Sequence, residues 1–490
     1  MSRFGSAIRP IYILPVVSLI FYAAFLTQTY YWDGVLFSLD IEQVARGDAP
    51  FVGLFHPNHL LYSPLGYLLY SAALACGIHT RAITVLQLFS ICISAAASAV
   101  LYVLAKRSTG SANVAAFCGI LFASGATWWK FSTDADAYIL CVLLLLLGAF
   151  FSFSDRLRVI PAGLCHISAM LLHELSIFFY VPLLLAIALE PRWSKKRRIG
   201  IAFAYLTISV SAISITYLMC YAHADHQAYP TLWKWIASFD RTSTFTRTLG
   251  EITGSYFSSY LKLFVGGRLS LIAEYFSLPM ILAFCACLAA LVSAVYLWRH
   301  SAATAPNAIN GRSMVLLWSW FLTYALFLAS WDAGNTFHKL FVWPAIVLLI
   351  GMYVARHPLS RVRVPAFLAL AIGIAAWNFG AFIYPHAQPG ADPVLRIALT
   401  VNAELPKSAT VYYKAFDPDD WYLAYFAPGR RWLPLPASIA DIAQNATLAA
   451  PVCFETTALG ALRLAIPSGQ KWDLVNQHHN IRLECLTGGR

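Results

Sequence analysis

Eleven apolar runs fall within the first 384 residues of this chain, near 11–30, 82–104, 112–129, 137–154, 159–172, 175–190, 199–220, 278–298, 313–330, 340–355 and 365–384. A helix needs ~20 apolar residues to cross the hydrocarbon core of a bilayer. In hydrocarbon every backbone amide must find a partner within the protein, so repeated runs of this kind resolve into a helical bundle. The balance of residues agrees: 59% are hydrophobic, 12% are charged and the mean hydropathy is +0.64, where a soluble domain carries about 25% charge. The expected fold is an all-α polytopic membrane protein of about eleven transmembrane helices. A further run, 64–78, is too short to cross and reads as a helix at the interface. The first run reads as a span and not as a cleaved leader, because Tyr30, Tyr31 and Trp32 stand where small residues would be needed for cleavage.

Charge sorts the loops. With the N-terminus in the cytoplasm, the inside loops hold 16 basic and two acidic residues, among them the cluster Arg192, Lys195, Lys196, Arg197 and Arg198. The outside loops before residue 385 hold nine basic and twelve acidic residues. That asymmetry is the positive-inside signature of a bacterial inner membrane protein. The formal charge of +11 is therefore a topology signal and not a nucleic-acid surface. The same sorting makes 159–190 a pair of short spans turning at His173-Glu174, since one long helix would place Lys195–Arg198 outside. Aromatic residues at 15% suit the interface belts.

Residues 1–384 thus form the transmembrane domain, and 385–490 a small extracytoplasmic α/β domain. Thr410-Val411-Tyr412-Tyr413 reads as a strand, and Asp417-Pro418-Asp419-Asp420 as a helix start. Of ten cysteines, eight lie in or beside spans. Cys453 and Cys485 alone lie in the outer domain, an oxidising place, and are expected to form a disulfide.

Ionisable residues gather on the outer side. The first loop carries Asp33 directly after the first span, Asp40 and Glu42 on a short amphipathic helix, and then His56-Pro57-Asn58-His59. The second reads Trp128-Trp129-Lys130-Phe131-Ser132-Thr133-Asp134-Ala135-Asp136-Ala137-Tyr138. His173-Glu174 follows at membrane depth, where an ionisable group is a functional hypothesis by default. Arg268 lies in a larger loop, and Asp332, His338 and Lys339 in the last. Acids supply a general base and ligands for a hard cation; cations suit a phosphate. The bland readings are solvated flanks for the acids, capping of the helix near Ala137 by one of Asp134 and Asp136, and headgroup contact for the cations. A set of acids, imidazoles and cations on one membrane face is harder to explain that way.

These residues resemble a family. An Asp after the first span, a long first outer loop, an Asp-x-Asp-x-Tyr in the second and a His-containing turn in the third are similar to the GT-C superfamily, nearest the protein O-mannosyltransferase and aminoarabinose-transferase branch. The resemblance covers about residues 10–220. It implies a membrane glycosyltransferase that moves a sugar from a polyprenyl-phosphate donor to a glycan, lipid or protein acceptor on the outer, periplasmic face. Asp33 would be the base of an inverting single displacement, with Asp40 the alternative. Gly34 stands where the family often has a second acid, which leaves those two open. His56, His59, His173, Glu174, Arg268, His338 and Lys339 would hold phosphate or substrate. Asp134 and Asp136 would hold a divalent metal, Mg²⁺ or Mn²⁺. A lipid-linked sugar flippase or transporter would instead carry its ionisable groups at the midplane with internal repeats, and an O-antigen ligase or polymerase would depend on outer Arg and His.

Overall fold

The computed structural model describes residues 5–153, 156–239, 249–300, 311–356, 363–413, 420–434, 452–455, 472–478 and 481–486. The chain divides into two compact units. The first comprises Met1–Thr27 and Asp40–Ala387, the second Gln28–Leu39 and Gln388–Arg490. The division near 387 falls close to the expected boundary at 384. The short segment Gln28–Leu39, however, joins the second unit, where Tyr30 stacks on Phe426 at 5.4 Å between centroids.

In the first unit a helix occupies each of the eleven expected positions. They are α1 (Gly5–Ala24), α4 (Ala82–Thr109), the pair α5 (Ala112–Ser124) and α6 (Ala126–Ser132), α7 (Tyr138–Ser152), α8 (Val159–Leu172), α9 (Tyr180–Ala188), α10 (Lys195–Tyr221), α14 (Leu278–His300), α15 (Gly311–Ser330), α16 (Trp343–Arg356) and α17 (Val364–Asn378). Among the described residues five helices are long and apolar enough to cross a membrane, six if the bent pair α5–α6 counts as one, and five more are shorter apolar helices. The chain is a multi-pass membrane protein. Between these helices lie α2 (Trp32–Arg46), α3 (Tyr62–Ala75), α11 (Leu232–Ile236), α12 (Leu249–Phe264) and α13 (Leu269–Glu274), and α17 continues through a π-turn, Phe379–Ile383, into α18 (Tyr384–His386). In its apolar window α4 is 56% buried and forms the centre of the bundle, whereas α10 and α14 are 11% buried and face outward.

Local chemistry explains where these helices stop. Gly110 takes φ +67° at the C-terminus of α4 and donates to the Lys106 carbonyl, while Lys106 and Arg107 meet the negative end of the helix dipole. Ser111 then caps α5 by accepting from the Val114 amide at 3.3 Å. The 63° bend between α5 and α6 sits at Gly125. A Cβ there would lie 2.6 Å from Trp343 and 2.9 Å from the Leu263 carbonyl, so the close approach requires glycine. After α8, His173 is extended and its Nδ1 accepts from the Leu175 amide at 3.1 Å, starting the 3₁₀ turn Glu174–Phe179 that leads into α9. At the far end of α9, fully buried Glu190 accepts from Arg192 at 2.6 Å and pairs with Arg312 at 3.3 Å, tying α9 to α15.

The second unit holds α19 (Pro393–Glu404), α20 (Asp420–Phe426) and a five-stranded sheet of order β2-β1-β3-β5-β4. Its strands are β1 (Thr410–Tyr413), β2 (Arg431–Pro434), β3 (Val452–Glu455), β4 (Trp472–His478) and β5 (Ile481–Leu486). β1 is parallel to β2 and β3, while β5 is antiparallel to β3 and β4. Val411, Tyr413, Leu423, Trp432 and Val401 build its core. Asp392 accepts from the Val394 amide at 2.9 Å before Pro393, capping α19. The helix-start signal Asp417-Pro418-Asp419 lies outside the described residues, and α20 begins at Asp420. Cys453 is disulfide-bonded, and the β3–β5 register sets it opposite Cys485.

Candidate functional site

Three of the predicted histidines, from three separate loops, converge within the first unit. His59 and His173 meet edge to face at 4.6 Å between centroids, and His338 lies 6.3 Å from His173. Tyr138 touches all three, at 6.0 Å, 4.9 Å and 6.1 Å. All three imidazoles are buried. Burial, reinforced by the neighbouring His56, pushes His59 down to about 3. Burial and the two flanking imidazoles push His173 well below its ordinary value. Burial lowers His338 too, against the opposing pull of Asp332, whose Oδ2 is 3.5 Å from Nδ1. The Asp332 carboxyl is raised by burial but held net below the usual range by His338, Asn335 and Lys339. Because His173 Nδ1 accepts an amide proton, its own proton sits on Nε2. The cluster thus joins the loops that carry His59, His173 and His338, and its burial disfavours the charged form of each ring.

The first-loop acids separate. Asp40 Oδ2 and His56 Nε2 are 2.7 Å apart, and His56 is electrostatically coupled to His59. Glu42 accepts from Arg81 at 2.8 Å and from the Ala82 amide at 2.9 Å, so it caps α4. Asp33 stands in the first turn of α2, in the second unit. Glu174, beside His173, is exposed and lies within electrostatic reach of Tyr217.

The two lysines fare differently. Lys339 is fully buried. Its ammonium donates to the Ala333 and Asn335 carbonyls at 2.9 Å and 2.8 Å and lies over the rings of Tyr256 and Tyr260. Burial, partly opposed by Asp332, lowers it to about 8. It braces its own loop and is not presented to a phosphate. Lys130, which sequence reasoning passed over, is 13% exposed at the C-terminal end of α6. Its ammonium pairs with Asp134 and lies 4.9 Å from the Phe131 ring. An ammonium has three N–H donors, and among the described residues Asp134 is the one acceptor of a hydrogen bond from it. The i, i+4 spacing of Lys130 and Asp134 was the available sequence signal. Lys130 and Arg268 both act electrostatically on His386 at the end of α18, whose Nδ1 is 2.6 Å from the Phe382 carbonyl.

Asn378, buried just before the π-turn, fixes the backbone around this cationic group. Its side chain donates to the Ser124 and Phe264 carbonyls at 2.8 Å and 2.6 Å and accepts from the Gly266 amide at 3.1 Å. It thus binds the α5–α6 bend to the loop that carries Arg268. From Trp129, one residue before Lys130, an apolar groove of about 550 Å³ runs between α1, α5, α14 and α17. Leu14, Phe21, Ile120, Leu282 and Phe379 are among its walls.

The expected divalent metal does not fit the donors in place. Asp134 is committed to Lys130, with its Oδ1 accepting from the Ala135 amide at 2.9 Å. Asp136 Oδ1 accepts from the Tyr138 amide at 3.2 Å, capping α7. Among the described residues no group of three or more His, Cys, Asp or Glu is arranged to hold a metal ion.

No family model and no curated protein matches the chain. Solved structures share its fold over nearly the whole chain. The particular structures it is similar to are those of ArnT from Cupriavidus metallidurans. The apo form matches with a TM-score of 0.60 and 11% identity over 100% of both chains. The form bound to undecaprenyl phosphate matches with a TM-score of 0.57 and 12% identity over 98% of each. At such identities the likeness is one of fold.

Proposed function

We propose that this chain is a membrane glycosyltransferase that takes a sugar from a polyprenyl-phosphate donor and passes it to an acceptor on the periplasmic face of the inner membrane. One observation carries the reading: Lys130, an almost buried ammonium whose acceptor among the described residues is Asp134, acts with Arg268 on His386, and its neighbour Trp129 lines an apolar groove. A polyprenyl tail suits the groove, and its phosphate suits the cations. The undecaprenyl phosphate bound by ArnT, on the same fold, supports that pairing. The family resemblance makes Asp33, in the first turn of α2, the base. It accepts the acceptor's hydroxyl proton as the oxygen attacks the anomeric carbon. The bond to phosphate breaks with inversion, and the phosphate leaves on the lipid. Asp40, held by His56, is the second choice of base. No step here passes through a metal.

Binding of undecaprenyl phosphate to the purified protein tests the seat. Lys130→Met is expected to weaken it about 10-fold or more while leaving undecaprenol, which lacks the phosphate, unaffected; equal binding of both lipids would reject the seat. Comparing envelope glycolipids and glycans by mass spectrometry with and without the protein names the product. In that assay Asp33→Asn is expected to lower turnover by ~10²-fold or more. Normal turnover there with a dead Asp40→Asn would transfer the role to Asp40.

A further inference from the structure

We propose that Asp134 is a positioning residue: its carboxylate holds the Lys130 ammonium in place for the donor phosphate, so that a built-in cation fills the place of a bound divalent metal. The inference rests on the phosphate seat described above and adds to it the reason the second-loop acid is there.

Lys130 and Asp134 lie one turn apart across the C-terminus of α6, and the Asp134 side chain is fully buried. The backbone between them is braced from α4. Gln87 Nε2 donates to the Thr133 carbonyl at 2.8 Å and to the Thr27 carbonyl at 3.1 Å. Ser94 and Ser132 share a hydrogen bond of 2.6 Å, and Thr133 Oγ1 donates to the Lys130 carbonyl at 3.0 Å. A free lysine stem would have to give up its rotamer freedom when a phosphate arrives. One already fixed by a carboxylate on a rigid support gives up less, which is how preorganisation raises affinity.

A closing ion pair with no role beyond structure is the competing account, and the chain contains one for comparison. Glu190 is shared by Arg192 and Arg312, and the Arg312 guanidinium also donates to the Ala186 carbonyl at 2.9 Å. Lys130 differs twice. Its ammonium keeps N–H donors beyond those Asp134 takes. It also acts with a second cation, Arg268, on the same histidine, His386, so positive charge is gathered there. Such crowding is unfavourable for a purely structural pair and favourable once an anion binds.

The test uses the full-length protein in detergent, with undecaprenyl phosphate and undecaprenol as paired probes. Asp134→Asn keeps the shape and removes the charge. It is expected to weaken undecaprenyl phosphate binding about 10-fold, to leave undecaprenol binding unchanged, and to retain the elution profile of the wild type. Asp134→Glu is expected to recover part of the loss, and wild-type binding is expected to persist in chelator. Wild-type phosphate affinity in Asp134→Asn overturns the proposal, as does an equal loss for both lipids, which marks a structural pair. Loss of wild-type binding in chelator with recovery on adding Mn²⁺ overturns it in favour of a metal. If Lys130→Met weakens phosphate binding and Asp134→Asn does not, only this inference fails. If Lys130→Met binds normally, the seat itself fails.

Discussion

A side chain's role in this protein depends on where its hydrogen bonds already go. Lys339 and Lys130 are both cations beside an aspartate in an outer loop, and from sequence alone Lys339, next to a histidine, looked the better phosphate ligand. Its donors are consumed by two carbonyls of its own loop; those of Lys130 are not. The histidines make the same point with protons. His59, His173 and His338 are buried and held below their ordinary value, while an unfolded histidine titrates near ~6.5. Between the folded and unfolded values the unfolded chain binds more protons, so stability rises with pH there. The contribution is complete above pH ~6.5 and shrinks as the pH falls, by about 2 kcal/mol for His59 alone at pH ~5. The thermal midpoint in detergent is therefore expected to drop between pH 7.5 and pH 5. His173→Gln is expected to flatten that slope, and a midpoint indifferent to pH would show that the imidazoles are not held neutral.

Broken helices, more than long ones, shape the site. The α5–α6 pair turns at Gly125, the α8–α9 pair at His173, and α17 passes through a π-turn at Phe379–Ile383. Each break turns a polar side chain or carbonyl inward at membrane depth, which is tolerated where protein supplies the partners. Asn378 is the main supplier, reaching α5 and the loop after α12 at once. The sequence announced the His173 break through charge bookkeeping. It did not announce the bend at Gly125, because a single glycine in an apolar run is ordinary and its cause, Trp343, is more than two hundred residues away. Gly125→Ala is expected to destabilise the protein by about 1–3 kcal/mol through overpacking against Trp343 and the Leu263 carbonyl, and to weaken polyprenyl phosphate binding with it. Gly200→Ala, in α10 with nothing within 4 Å of the new Cβ, is expected to be neutral or stabilising by roughly 0.5–1 kcal/mol. Equal effects from the two substitutions, read by thermal unfolding, would remove the special status of the bend.

At the scale of the molecule the chain is two units made from four stretches of sequence, since Gln28–Leu39 belongs with Gln388–Arg490. The second unit is the place to look for an oxidised pair. With Cys453 bonded and facing Cys485 in the β3–β5 register, we propose the 453–485 disulfide, which closes a loop of about 30 residues and contributes ~3 kcal/mol in the loop-entropy model. Thiol counting under denaturing, non-reducing conditions is expected to find both blocked; two free thiols would refute it. The amino-acid sequence by itself determined the membrane class, the position of each apolar helix and the strand at Thr410–Tyr413, because hydropathy over ~20 residues and alternation over four are local properties that need no knowledge of neighbours. It also carried the first-loop, second-loop and turn residues that resemble the GT-C pattern. Only the tertiary structure decided which of those residues meet. It brought His59, His173 and His338 around Tyr138, turned Lys339 inward, paired Lys130 with Asp134, and moved Asp33 into the second unit. Each of those outcomes depends on which helices pack side by side, and hydrophobic pattern does not encode that, since in a bilayer every apolar helix face looks alike to lipid and to its neighbours.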